Sequence, residues 1–155
     1  MTYTIRGLDP SPFLRLYGLD DEELRESGVI RMPVTSPAGF PCRVRLEEAA
    51  TGEQVLLMNH VSHDVANPYR ATYAIFVTEG ATTAALYQDE IPPVLDSRVL
   101  SLRAFDNAGM MIDAILAPPG EADAGIRRLF DSPQTSYIHA HNAVRGCFAA
   151  KVDRR

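Results

Sequence analysis

Short apolar runs, broken every few residues by Pro, Gly, Asn or Asp, dominate the chain, and many alternate with the period of two that marks a half-buried strand. Tyr3 to Arg6 alternates and predicts a short strand, after which Leu8-Asp9-Pro10-Ser11-Pro12 turns into a short helix around Phe13 to Tyr17. Asp20 suits the N-cap of a helix over Asp21 to Ser27, because acids crowd its first turn where the dipole favours them and Gly28 is placed to end it. Val29 to Val34 is β-like and Thr35 to Gly39 reads as a loop. In Cys42 to Leu46 the alternation puts Cys42, Val44 and Leu46 on one face and Arg43 and Arg45 on the other, a polar face of the kind that forms surface ion pairs. Gln54 to Met58 and Tyr73 to Val77 are apolar runs of buried-strand type, and the polar Asn59 to Arg70 between them reads as a loop long enough to be functional.

In the second half, Asp106-Asn107-Ala108-Gly109 separates Ser97 to Phe105 from Met110 to Leu116 and predicts a β-hairpin, with Gly109 available for a left-handed position. Glu121 to Asp131 carries Ala122, Ile126, Leu129 and Phe130 at helical spacing, with Arg127 and Arg128 outside the stripe, and predicts an amphipathic helix on a sheet. Thr135 to His141 and Cys147 to Val152 would be the closing strands. The expected fold class is α+β: a strand-dominated antiparallel or mixed sheet with about three short helices. At 155 residues, with no repeat and no linker, a single domain is expected.

Charge narrows the partners. A net charge of −5 and a pI near 5.3 argue against nucleic acid or an anionic membrane surface, both of which need a positive field. No apolar run approaches the roughly 18 residues that cross a bilayer, so a cytoplasmic protein is expected. Cys42 and Cys147 are the only cysteines, and in a reducing compartment both would be free thiols, although a bridge between them stays open.

Candidate chemistry concentrates near the C-terminus. Ile138 and Ala140 share one face of a strand while Tyr137, His139 and His141 share the other; on the return strand, Phe148, Ala150 and Val152 form the apolar face and leave Arg145, Cys147, Ala149 and Lys151 opposite. If the connecting loop has the matching register, His139, His141, Arg145 and Cys147 emerge together away from the core. The other local reading makes Asn142 a helix N-cap and breaks the strand before Cys147. A cation lowers a thiol's pKa, and Arg43 beside Cys42 and Arg145 near Cys147 offer one; a histidine would then serve as base or acid. Imidazoles and thiolates also bind Zn²⁺, and His60, His63 and Asp64 offer further ligands, but no spacing here matches a zinc motif. Each group also has a blander reading: His139 and His141 as hydrogen-bonded strand residues, Cys42 and Cys147 as small core residues, His60 and His63 as solvated loop positions, and Pro68-Tyr69 as an ordinary entry into a strand.

The motifs Phe40-Pro41-Cys42-Arg43, Pro68-Tyr69-Arg70, Ala74-Ile75-Phe76-Val77, Ser101-Leu102-Arg103-Ala104 and Tyr137-Ile138-His139, with His139-Ala140-His141-Asn142-Ala143-Val144-Arg145-Gly146-Cys147, follow one another in an order and spacing that resemble a bacterial family, the domain of unknown function 1203. The resemblance implies a bacterial single-domain protein and supplies no activity, cofactor or catalytic residue. It directs interest to the polar positions inside those motifs. The resulting expectation is a site for a small polar or anionic molecule, with Cys147, His141 and His139 as candidate catalytic groups and Arg145, Asn142, Arg43, Tyr69 and Arg70 as candidate binding groups. A metal-binding module and a noncatalytic interaction domain, with a homodimer through an edge strand as one form of the latter, are the alternatives.

Overall fold

A computed structural model describes residues 1–155. The first half contains β1 (Tyr3–Arg6), a 3-10 helix (Ser11–Leu16), α1 (Asp21–Glu26), β2 (Ile30–Pro33), β3 (Pro41–Cys42), β4 (Glu47–Glu48), β5 (Gln54–His63) and β6 (Ala71–Thr78). The second half contains β7 (Leu86–Gln88), α2 (Pro93–Asp96), β8 (Leu100–Phe105), β9 (Met111–Ala117), α3 (Ala122–Phe130), β10 (Tyr137–Asn142) and β11 (Phe148–Arg154). The strands form two sheets. One is antiparallel throughout, in the order β7-β1-β11-β10-β8-β9; the other runs β2-β5-β6-β3-β4, with only β3 and β6 parallel. The strand-dominated α+β expectation holds.

Each sheet has its own core. In the six-stranded sheet, Ile5, Leu102, Ile138, Ala140 and Val152 point to one face and meet the α3 stripe of Ala122, Ile126, Leu129 and Phe130, which the sequence pattern located. Gly125 lets that helix approach closely, because a Cβ there would lie 2.8 Å from Leu102 Cδ1. In the five-stranded sheet, Leu56, Met58, Ile75 and Val77 cluster with Phe13 and Leu16 of the 3-10 helix and with Leu24 of α1. Asp20 and Glu23 make a reciprocal capping box at the start of α1, and Arg31 on β2 pairs with both Asp21 and Glu79, fastening that helix to the sheet.

Two expectations fail, each for an identifiable reason. Of the expected Cys42 to Leu46 strand only Cys42 is in a strand, following Pro41 in β3; the chain then turns, with Leu46 N–H donating to the Cys42 carbonyl at 2.9 Å. The turn sits at the seam between the two cores: Cys42 and Val44 enter one and Leu46 the other, so three apolar residues at alternate positions imitate a strand. Arg43, expected on an exposed face, is 3% exposed. The second failure is the expected loop from Asn59 to Arg70. β5 continues through His63, and His60 and His63 are strand residues; the connection to β6 is only Asp64 to Arg70. Inward positions at that end of β5 carry histidine instead of aliphatic residues, which hid the period of two.

Candidate functional site

The face of β10 turned away from α3 carries Tyr137, His139 and His141, as the alternation predicted, but this face is not open. The five-stranded sheet covers it, leaving His139 3% and His141 2% exposed. Two β-bulges shape the covered layer. In the β10–β11 pair Ala140 faces Ala150 and His141 faces Phe148, so Ala149 is an inserted residue. The insertion turns Phe148 onto the histidine face, with its ring 5.1 Å from His139 and 5.8 Å from His141, where strict alternation had placed it in the α3 core. In the β5–β6 pair, Val61 faces Thr72 and His63 faces Ala71, and skipping Ser62 brings His63 into the same layer, 5.0 Å from the His139 ring.

Hydrogen bonds fix the rings. His63 Nδ1 lies 2.9 Å from the Tyr69 carbonyl, which only accepts, so this nitrogen carries the proton. In the neutral ring Nε2 then accepts from the Tyr137 hydroxyl at 2.7 Å. Burial, followed by the charges of Asp106 and Asp153, raises the Tyr137 pKa and keeps that hydroxyl protonated. His141 Nδ1–H donates to the Gly146 carbonyl at 2.9 Å, which leaves Nε2 as the free nitrogen. His139 has no protein hydrogen-bond partner; Phe105, Tyr137 and Phe148 pack around its ring. Burial is the main force holding the His139 pKa down to about 3, with His63, His141, Lys151 and Arg103 acting in the same direction. Burial also lowers His141 to about 4, against the opposing effect of its bond to Gly146. Both imidazoles are neutral at pH 7.

His63, His139 and His141 line a cleft of about 190 Å³ between the sheets. Arg103, Phe105 and Met111 line it from the same sheet as His139 and His141, His63, Ala71 and Tyr73 line it from the five-stranded sheet, Pro68, Tyr69 and Arg70 line it from the β5–β6 connection, and no carboxylate lines it. Arg103 donates to the Tyr73 hydroxyl and the Ser101 hydroxyl, both at 3.2 Å, which leaves Nη2 without a protein partner. Arg70 makes only an exposed ion pair with Asp64 at 3.3 Å. In a chain of net charge −5, a cleft lined by two guanidinium groups and no carboxylate, with Asp64 paired to Arg70 outside the lining, is locally positive.

The structure divides the expected site residues into two groups. His139, His141, Tyr69 and Arg70 meet in the cleft. Cys147 does not line it: its sulfur receives the Arg43 guanidinium at 3.4 Å and the Asn142 amide at 3.5 Å, away from the histidine layer. Arg43 also donates to the carbonyls of Phe148 at 2.8 Å and Pro41 at 2.6 Å, linking the two sheets through backbone. Burial lowers the Arg43 pKa, opposed by the neighbouring Cys147 sulfur. Arg145 lies exposed in the β10–β11 turn and has no side-chain hydrogen bond. The shared face expected for His139, His141, Arg145 and Cys147 is therefore absent, because Ala149 breaks the register on which it depended. His60 stands apart too, between Phe13 and Phe148. No three His, Cys, Asp or Glu side chains come together as a metal-ligand set.

Sequence reasoning missed His63, Tyr73 and Arg103 as cleft residues. Arg103 lay inside a motif already singled out, and His63 sits at even spacing from Leu57 but needs the Ser62 bulge to turn inward, a feature with no clear signature in one sequence.

Comparison with curated proteins and with solved structures finds no match. A family model described as "Protein of unknown function (DUF1203)" matches residues 39–154, which include β3 through β11 and every residue of the cleft. The chain belongs to this family.

Proposed function

We propose that the protein binds a small anionic molecule with an apolar portion in the cleft between its sheets. Arg103 and Arg70 would donate to the anionic group, and Tyr69, Phe105 and Met111 would contact the apolar part. The observation that carries this reading is a buried imidazole, His139, with no hydrogen-bond partner, lining a cleft that holds two cations and no acid. The cleft is on the scale of a single-ring molecule, since a cavity of about 150 Å³ accepts benzene.

Binding fits the histidines better than proton transfer does. A general base works best with a pKa near the working pH, and groups held near 3 and 4 lie well below neutrality. Neutral imidazoles instead offer fixed donors and acceptors that orient a bound molecule. Arg43, Asn142, Arg145 and Cys147 have no part in this reading.

Isothermal titration with benzoate, a one-ring carboxylate, tests it. The expected result is saturable binding that weakens at least about tenfold in Arg103→Gln, the loss of a charge-assisted hydrogen bond. Absence of binding to the wild-type protein, or equal affinity in the variant, would contradict the proposal.

A further inference from the structure

The tautomer of His141 restricts what the cleft accepts. Its Nδ1–H is committed to the Gly146 carbonyl, so the polar group that the neutral ring has left for a molecule in the cleft it lines is the lone pair on Nε2. Nothing in the protein donates to that lone pair. Tyr73 packs edge-on to the ring with centroids 4.9 Å apart, yet its hydroxyl oxygen is 3.2 Å from Arg103 Nη1 and makes no bond to the imidazole. Arg103 is anchored on Ser101 and Tyr73. The wall thus carries an acceptor beside donors, and a molecule filling the cleft strips water from both.

Resting on the anion-binding reading, we infer that the ligand is an anion that also donates a hydrogen bond: a small carboxylate bearing a hydroxyl group, whose O–H meets His141 Nε2 while the carboxylate meets Arg103. A bare anion would satisfy the guanidinium and leave the imidazole lone pair desolvated and unpaired. Sites built to pair with a substrate hydroxyl discriminate strongly against the analogue lacking it, because the buried polar group loses its partner. The neutrality of His141 at pH 7 agrees with this, since a protonated ring would present a second donor in place of the acceptor.

The test compares benzoate with its 2-, 3- and 4-hydroxy derivatives against the wild-type protein, by titration calorimetry and by 15N NMR of histidine-labelled protein. At least one isomer is expected to bind about tenfold or more tightly than benzoate, and that isomer alone is expected to shift the unprotonated His141 Nε2 resonance in the direction of a received hydrogen bond. If benzoate binds and no hydroxy isomer exceeds it, or if the preferred isomer leaves the Nε2 resonance unmoved, the donor inference is wrong while anion binding stands. If neither benzoate nor any isomer binds, the anion-binding reading has failed and this inference fails with it.

Discussion

His139 and His141 lose their usual basicity because folding removes them from water and supplies no carboxylate in exchange. Their neighbours are aromatic rings, each other, His63 and the cations Arg103 and Lys151, which flank His139 on the adjacent strands. The sign of the consequence follows from proton counting. Both pKa values fall on folding, from 6.5 to about 3 and about 4, so the unfolded chain binds more protons between those limits. The stability they contribute is complete above pH 6.5 and is lost as pH falls toward 4, at up to about 1.4 kcal/mol per pH unit for each histidine. Urea midpoints measured from pH 7 to pH 4.5 should fall steadily, and the slope should be shallower in His139→Leu; a midpoint independent of pH over that range would contradict the burial argument. Arg43 poses a different residue-scale problem, a buried guanidinium whose partners are two carbonyls and a sulfur. Arg43→Met would leave the Phe148 and Pro41 carbonyls without these donors, and it is expected to cost about 3 kcal/mol in denaturant unfolding. A cost below about 1 kcal/mol would show that the two sheets do not depend on it.

Among the elements, those governed by local rules were legible in the sequence and those governed by contact between the sheets were not. The N-cap at Asp20, the β8–β9 hairpin around Gly109 and the α3 stripe each rest on residues close in the chain, and all three are present in the structure. The turn after Cys42 and the bulges at Ser62 and Ala149 answer to neighbours in the other sheet or across a strand pair, so alternation alone misplaced Arg43 and Phe148, and His63 was assigned to a loop. Capping at α1 carries an ordinary expectation: Asp20→Ala should lower stability by about 1 kcal/mol, read as a shift in the thermal midpoint. Gly7 carries a severe one. It follows β1 where the chain passes the Arg43 turn, and a Cβ there would lie 1.9 Å from the Val44 carbonyl oxygen, a backbone atom that cannot swing aside. Gly7→Ala is expected to cost more than about 4 kcal/mol or to prevent soluble expression, and near-wild-type stability would mean that the turn can move.

For the molecule as a whole, the arrangement is two sheets with separate aliphatic cores that meet through a layer of histidine, tyrosine and phenylalanine rings. An aliphatic contact between sheets fills itself, whereas rings carrying nitrogen and hydroxyl groups leave directional valences, and the cleft opens where those valences are not all used. Part of the site was visible in the chain as His139, His141, Tyr69 and Arg70; Arg103 is brought beside them by the β8–β10 pairing, and His63 and Tyr73 by sheet packing, neither of which single-sequence patterns encode. The most direct measurement of the central claim is a titration of histidine-ring NMR signals with benzoate. The account predicts that His139 and His141 shift progressively and saturably while His60, enclosed by Phe13 and Phe148 outside the cleft, moves least. Histidine signals that stay fixed through the titration, or a response confined to His60, would contradict it.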